Sequence, residues 1–435
     1  MFSEEDIRIC VIGSGYVGLT VGLCLADLGF KVTCADKDAG KVERLNRAEL
    51  PIHEAGLDDL LSKTLKLGAI TFTSDTAQAI LKNNVIFIAV GTPSLDDGSA
   101  DLSHVFDVAE LFAGNLNEDK IVVLKSTVPI GTNKKLNEFI AGRNMSGRRF
   151  SVVSNPEFLR QGKALMDFIS PHRIVIGSDD QKAIALMRKV HERVDAPVFV
   201  TSPENAEIIK YASNSFLAMK ISYINEIANL CERYGADVMD VAKGMGLDPR
   251  IGGLFLQAGV GFGGSCFPKD MKALLHSAKE AEYDFKLLRA ALEINEQQKN
   301  IAILKLKKYL GGLKGKTIGL WGLSFKPDTD DIREAPSLAL ISGLLGEGAR
   351  IKAHDPKAEQ RTREFFPQVT YCDDLYQAAE GCHGVVLVTE WREFRDIDLA
   401  RIKGVLKRPL IIDGRNFFDP VRMQELGFEY EGVGR

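Results

Sequence analysis

Residues 261–270 read Gly261-Phe262-Gly263-Gly264-Ser265-Cys266-Phe267-Pro268-Lys269-Asp270. Pro268 suits the first turn of a helix, so the run predicts Cys266 at a helix entrance, beside unpaired N–H groups. That setting, with Lys269 near, lowers a thiol pKa and favours the nucleophilic thiolate. Asp270 in the first turn adds a carboxylate, and the set suits covalent catalysis at a carbonyl: thiol attack, then water attack. A buried structural cysteine is the alternative that the spacing leaves open. Cys10, Cys34 and Cys231, in apolar strand or helix positions, fit that alternative better.

Lys210 and Asn214 stand four apart in a segment, 204–234, that has no Pro or Gly. On a helix they share a face. A Lys and an Asn pointing together stabilise a developing alkoxide, and a buried Lys of lowered pKa also accepts a proton. Glu207, three residues before Lys210, leaves a plain surface ion pair as the other reading.

Gly13, Gly15 and Gly18 have the spacing G-x-G-x-x-G, after the apolar run 7–12 and before an apolar stretch that stops at Gly29. The first glycine permits a tight turn, the second lets a pyrophosphate approach the backbone, and the third lets the helix pack on the strand. The helix start then offers N–H groups and partial positive charge to phosphates. Asp36 ends the following strand, where a carboxylate accepts the ribose hydroxyls and repels a 2′-phosphate, so NAD is favoured over NADP. Lys37 beside it works the other way, and a glycine-rich turn without ligand is the alternative. Two further turns, Lys125-Ser126-Thr127-Val128-Pro129 and Asn155 through Gly162, follow strands where the carboxyl edge of a sheet opens toward ligand.

The elements that must hold these residues are legible as alternation. Strand-like runs occur at 7–12, 31–35, 85–90, 121–124, 151–153, 173–176 and 198–200, separated by helical stretches. This pattern predicts a parallel sheet covered by helices. The segment 204–234 is expected to be one long helix buried on much of its circumference, carrying Ile208, Tyr211, Phe216, Met219, Tyr223, Ile227 and Leu230. A Gly-rich loop over 249–264 and a mostly helical stretch over 268–309 follow. A second alternating region opens at Gly315 and echoes the first, but its turn, Gly322-Leu323-Ser324-Phe325-Lys326, lacks the fingerprint, so a second dinucleotide site is not expected. The expected fold class is α/β, with two Rossmann-like doubly wound parallel-sheet domains joined by a long central helix and a helical middle region. The expected domains are 1–202, which carries the dinucleotide fingerprint, 203–313, the central helical part, and 314–435, the second alternating region.

Composition bounds the rest. The 435 residues carry 45% hydrophobic and 26% charged side chains with a net charge of −4, which excludes general disorder and gives no electrostatic footprint for nucleic acid. No apolar run reaches membrane-span length. The acidic start Met1-Phe2-Ser3-Glu4-Glu5-Asp6 is unlike a secretory signal. Seven cysteines without paired spacing and seven scattered histidines fit a reduced cytoplasmic protein without a metal site.

Together these segments closely resemble the nucleotide-sugar dehydrogenases, the UDP-glucose/GDP-mannose dehydrogenase family. The resemblance covers nearly the whole chain. It rests on G-x-G-Y-V-G-L, S-T-V-P-x-G-T, N-P-E-F-L-R, the helix from Lys210 to Glu226, G-F-G-G-S-C-F-P-K-D and the late F-K-x-D-T-x-D-x-R-E. It implies two oxidations at C6 of the sugar, with two NAD+ per substrate. Lys210 and Asn214 would hold the alkoxide and carbonyl oxygen. Cys266 would form a thiohemiacetal and then a thioester, with Asp270 and Thr127 positioning water and Glu157 assisting proton transfer. Cofactor contacts implied are Gly13, Gly15, Tyr16, Val17, Gly18, Asp36 and Lys41 in the first βαβ unit, Thr92, Ser126, Thr127 and Gln161 in later turns, and Lys269 and Arg333. Substrate contacts implied are Glu157, Phe158, Leu159, Lys210, Asn214, Gly263, Cys266, Phe325, Lys326 and Arg415, with Phe255 and Leu256 in a loop over the sugar. Arg250 would reach into the site of a partner subunit, so a homodimer or larger homo-oligomer is implied. Many relatives have Glu where this chain has Gln161, so any contribution there must come from an uncharged amide. The segments around Arg250 and Cys266 look most like the UDP-glucose branch, with GDP-mannose and UDP-N-acetylmannosamine as rival substrates. A non-catalytic NAD-binding regulator and a single-step dehydrogenase with a structural Cys266 are the competing functions.

Overall fold

Short apolar runs become strands because a strand buried on both faces needs nothing else. The structure, a computed structural model, describes residues 7–435; the acidic start at 1–6 lies outside the described residues. In chain order the first eight strands are β1 (Arg8–Ile12), β2 (Lys31–Ala35), β3 (Ile70–Thr73), β4 (Val85–Ile88), β5 (Lys120–Leu124), β6 (Phe150–Ser154), β7 (Ile174–Gly177) and β8 (Val198–Thr201). They form one sheet in the order β3-β2-β1-β4-β5-β6-β7-β8. The pairings are parallel except between β6 and β7, which meet antiparallel at Ser154 and Gly177. Alternate residues of β1 serve opposite layers: Ile9 and Val11 join the core on one face, Cys10 and Ile12 that on the other, as the period of two requires.

Six more strands, β9 (Thr317–Trp321), β10 (Arg350–His354), β11 (Thr370–Tyr371), β12 (Gly384–Leu387), β13 (Leu410–Asp413) and β14 (Glu429–Glu431), form a second, all-parallel sheet. Its order is β11-β10-β9-β12-β13-β14. In each sheet the order reverses beside the first strand, between β1 and β4 and between β9 and β12. That switch point is where an open α/β sheet has its crevice.

The chain divides into two compact units. One comprises the residues up to Ser213 with Lys272–Tyr283; the other comprises Asn214–Met271 with Asp284–Arg435. The helix Pro203–Tyr234 is continuous through 32 residues, with Pro203 in its first turn. The expected burial over much of its circumference holds except along one row. Tyr211 is buried, but Ile208, Phe216, Tyr223 and Leu230 are 41%, 62%, 54% and 49% exposed. Among the described residues that row of the helix is only partly covered, although its composition reads as core. Among the described residues no helix is long and apolar enough to cross a membrane.

Candidate functional site

In the first unit, β1 runs into Gly13 and the helix Tyr16–Asp27. Gly13 has φ +101°, and a Cβ there would come within 2.6 Å of the Ala89 carbonyl oxygen. Its N–H donates to Ala35 across the sheet at 2.8 Å. Gly18 faces the Gly13 carbonyl with no room for a side chain, whereas a Cβ on Gly15 would meet nothing. Gly15 is therefore bare toward open space, as a backbone that a ligand approaches must be. Tyr16 and Val17 start the helix, and the buried Ser14 Oγ has no hydrogen-bond partner among the described residues.

Asp36 follows β2. Its Oδ2 accepts from Ser14 N at 2.7 Å and Lys41 Nζ at 3.0 Å, and its Oδ1 accepts from Asp38 N at 3.0 Å. Burial pushes the carboxyl up, but the Asp38 and Ser14 N–H groups and Lys41 outweigh it, leaving its pKa below the ordinary value. Gly13, Gly15, Asp36, Lys41 and Val90 line a cleft of 330 Å³. The open Gly15 backbone, the orphaned Ser14 hydroxyl and an ionised carboxylate fit a dinucleotide.

The loops after β4 and β5 are tied together. Thr92 Oγ1 donates to the Thr127 carbonyl at 2.8 Å, and Ser126 Oγ to that of Val90 at 2.7 Å. Ser126, Thr127, Glu207 and Lys210 line one small cavity. Lys210 does not form the surface pair with Glu207 that the spacing allowed. Its ammonium is buried and meets Glu157 Oε1 at 2.9 Å. Glu157 Oε2 turns back to accept from Leu159 N. The Phe158 ring lies under Lys210 Nζ, 5.5 Å from its centroid, and under the Arg173 guanidinium at 3.9 Å; such cation–π contacts order an aromatic without burying a charge unpaired. Gln161 is half-buried one turn on. Glu207 instead receives Gly131 N and Asn133 N at 2.6 and 2.8 Å, capping the helix Thr132–Ala141. Burial drives its pKa up to about 7 in spite of those donors.

In the second unit, Cys266 immediately precedes the helix Phe267–Glu280. Its carbonyl accepts the first helical hydrogen bond, from Asp270 N at 2.8 Å, so its sulfur lies at the end carrying free N–H groups. The thiol is half-buried, with Ser265 Oγ at 3.6 Å. Asp270 is 1% exposed and held on both oxygens: Lys269 Nζ at 2.7 Å and Asn214 Nδ2 at 2.6 Å. Asn214 thus reaches the carboxylate four residues after the sulfur.

The loop feeding Cys266 is gripped by amides that spacing does not reveal. Asn295 accepts from Phe262 N at 2.8 Å and donates to Phe262 O at 3.0 Å. Gly259 is held through its N–H by Asn225 and through its carbonyl by Gln298, each at 2.8 Å. Gly263 packs on the backbone of Glu334, and the Phe325 ring packs on Gly264. Lys326 lies along Phe325, its Nζ 5.8 Å from the ring centroid. Arg415 donates to Val388 O at 2.7 Å and Gly261 O at 3.2 Å and pairs with Glu390 at 3.3 Å. Arg333 is paired with Asp331. Leu256 is buried, whereas Phe255 has φ +64° and lies 6.1 Å from the Phe267 ring. Arg250 is exposed and paired with its neighbour Asp248.

Asp355, the counterpart of Asp36, is occupied from within. Its Oδ2 takes Leu323 N, Ser324 N and the Trp391 indole Nε1 at 2.6, 3.0 and 3.0 Å. Its Oδ1 takes Lys357 N and Ala358 N at 2.8 and 2.7 Å. This leaves no acceptor for ribose, and the missing fingerprint at 322–326 has a structural counterpart.

Comparison with known proteins matches three models of the UDP-glucose/GDP-mannose dehydrogenase family: its NAD binding domain at residues 7–195, its central domain at 204–297 and its UDP binding domain at 319–420. The chain is 46% identical to a UDP-glucose 6-dehydrogenase of Pseudomonas aeruginosa, over 99% of this chain and 98% of that one. It is 48% identical to the UDP-glucose 6-dehydrogenase TuaD of Bacillus subtilis, over 98% and 93%. Its fold matches a UDP-glucose dehydrogenase from the archaeon Pyrobaculum islandicum with a TM-score of 0.93 at 38% identity, covering 100% and 99% of the two chains.

Proposed function

The chain belongs to the UDP-glucose/GDP-mannose dehydrogenase family, and from that premise we propose that it oxidises UDP-glucose to UDP-glucuronate through a thioester on Cys266. It is an NAD-dependent nucleotide-sugar dehydrogenase. Gly13, Gly15, Tyr16, Val17, Gly18, Asp36 and Lys41 would hold the coenzyme, with Thr92, Ser126, Thr127, Gln161, Lys269 and Arg333 as its other contacts. When bound, NAD+ supplies the hydride acceptor, and an alcohol-to-acid conversion loses four electrons, so two are used per sugar.

Lys210 and Asn214 hold the C6 oxygen as it loses its proton and becomes a carbonyl oxygen. The Cys266 thiolate adds to the aldehyde carbon, and after the second oxidation the sulfur carries an acyl group. Asp270 and Thr127 orient water toward that carbon, with Glu157 assisting proton transfer, and C–S cleavage returns the thiolate. Phe325, Lys326 and Arg415 bind the nucleotide, while Phe158, Leu159, Phe255, Leu256 and Gly263 shape the sugar site. The division into parts 1–202, 203–313 and 314–435 belongs to this reading. One observation carries it: the half-buried Cys266 stands at a helix start, four residues before a buried carboxylate that Asn214 holds.

The test is NADH yield with purified UDP-glucose, GDP-mannose and UDP-N-acetylmannosamine. Two NADH per UDP-glucose is the expected result. One NADH would establish a single-step enzyme with a structural Cys266, and turnover of GDP-mannose alone would overturn the choice of sugar.

Self-association belongs to the same proposal. Phe216, Tyr223 and Leu230 recur every seven residues on one exposed row of the long helix, the spacing by which helices pair. The second copy's Arg250 would then reach the sugar. A cytoplasmic location accords with seven cysteines that are not joined in disulfides.

A further inference from the structure

Glycine fills four of the six positions from 259 to 264 in the loop that leads to Cys266, and Gly261 and Gly264 both have φ +89°. Such a backbone has much conformational freedom to lose, so its course must be imposed by its surroundings. At its start it is tied to the carboxyl end of β13: Val260 N donates to Gly414 O at 3.0 Å, and Arg415 to Gly261 O at 3.2 Å. At its centre stands Asn295, on the helix Lys286–Gln298 and 1% exposed. Its Oδ1 accepts from Phe262 N at 2.8 Å and its Nδ2 donates to Phe262 O at 3.0 Å, so one buried amide holds both backbone groups of one residue. The same amide fills the space where Gly261 would carry a side chain: a Cβ there would stand 2.9 Å from Asn295 Oδ1.

The hold continues toward the sulfur. The buried Phe262 ring meets the Phe267 ring edge to face, with centroids 5.9 Å apart, and Phe267 is the residue after Cys266. Asn225 and Gln298 grip the loop at Gly259, seven residues before the sulfur, whereas Asn295 grips it four residues before.

We propose that Asn295 is a positioning residue that, through Phe262 and Phe267, fixes the Cys266 sulfur where it captures the aldehyde before that intermediate leaves. The inference rests on the thioester role given to Cys266 above. The first oxidation takes a hydride and a proton from the C6 alcohol and needs no sulfur, so it survives a displaced loop. The second begins only after the S–C bond has formed at the aldehyde carbon. A misplaced sulfur therefore leaves the aldehyde, made with one NADH, free to diffuse away.

The test is the product balance of the full-length protein with UDP-glucose and NAD+: NADH, acid, and aldehyde trapped as its semicarbazone. If the wild type does not give two NADH per sugar, the functional reading fails and this inference with it; with a normal wild type, the variants test this inference alone. Asn295→Ala removes both bonds to Phe262. Asn295→Asp keeps an acceptor for Phe262 N and loses the donor to Phe262 O. Gly261→Ala pushes against the amide from the loop side. In each, acid formation should fall about tenfold while the first oxidation persists, so that NADH per sugar drops from two toward one and aldehyde accumulates. The KM for UDP-glucose and the affinity for NAD should stay within about twofold. Acid and NADH falling in step with no aldehyde trapped would overturn the proposal, because a merely structural residue slows both oxidations alike. Unaltered acid output from Asn295→Ala would overturn it too. So would unfolding of all three variants, which would assign Asn295 to the architecture.

Discussion

Replacing Cys266 by alanine removes the sulfur on which an acyl group can rest, so glucuronate output should stop. NAD affinity, which draws on the cleft around Gly15 and Asp36, should stay within about twofold. Product analysis with equilibrium binding checks both, and acid output near wild type would refute the thioester. The glycine fingerprint, Asp36 and the run ending at Asp270 stood out in the sequence because their chemistry is local: each partner lies within a turn or one βαβ unit. Lys125, Glu207 and Asn295 did not stand out as buried groups. Charged residues are ordinarily solvated, and their partners here lie 30, 74 and 33 positions away. No spacing rule reaches that far.

The helix Thr132–Ala141 begins on Glu207, and that contact has a pH signature. Its pKa is raised from 4.5 to about 7 by burial, so between those values the folded chain binds more protons than the unfolded one. The stability Glu207 contributes is complete below about pH 4.5 and is lost as pH rises to about 7. Glu207→Gln removes that dependence. The melting temperature of the variant should lie below wild type at pH 5 and draw level or pass it at pH 8, and a parallel offset at both values would contradict the account. Central strands were legible as apolar runs. β3 was missed because its four residues alternate in burial, while β11 has two residues and β14 is Glu-Tyr-Glu; edge strands of this kind carry little hydrophobic signal. The reversal of β7 was not legible either, because hydrophobicity carries no strand direction.

For the whole molecule, the repeated α/β pattern announced two sheets but not how differently their crevices are furnished. Only the first keeps an open glycine at its turn, and Asp355 is filled by Trp391 in the second. Calorimetric titration with NADH should therefore saturate at one per chain, and a second site of similar affinity would refute this. The exposed row on the long helix leads to a second expectation: light scattering should give at least twice the 47.8 kDa chain mass. Replacing Phe216 and Tyr223 by Glu should lower it, since like charges at a paired helix face oppose association.

The indole of Trp391 is a stopper inherited by one half of a repeated architecture. On the proposed function, it keeps a dinucleotide out of the second crevice and leaves that crevice to the sugar nucleotide. Excess coenzyme should therefore not act as a competitive inhibitor against the sugar nucleotide, and an apparent KM for the sugar that climbs in proportion to coenzyme concentration would refute this.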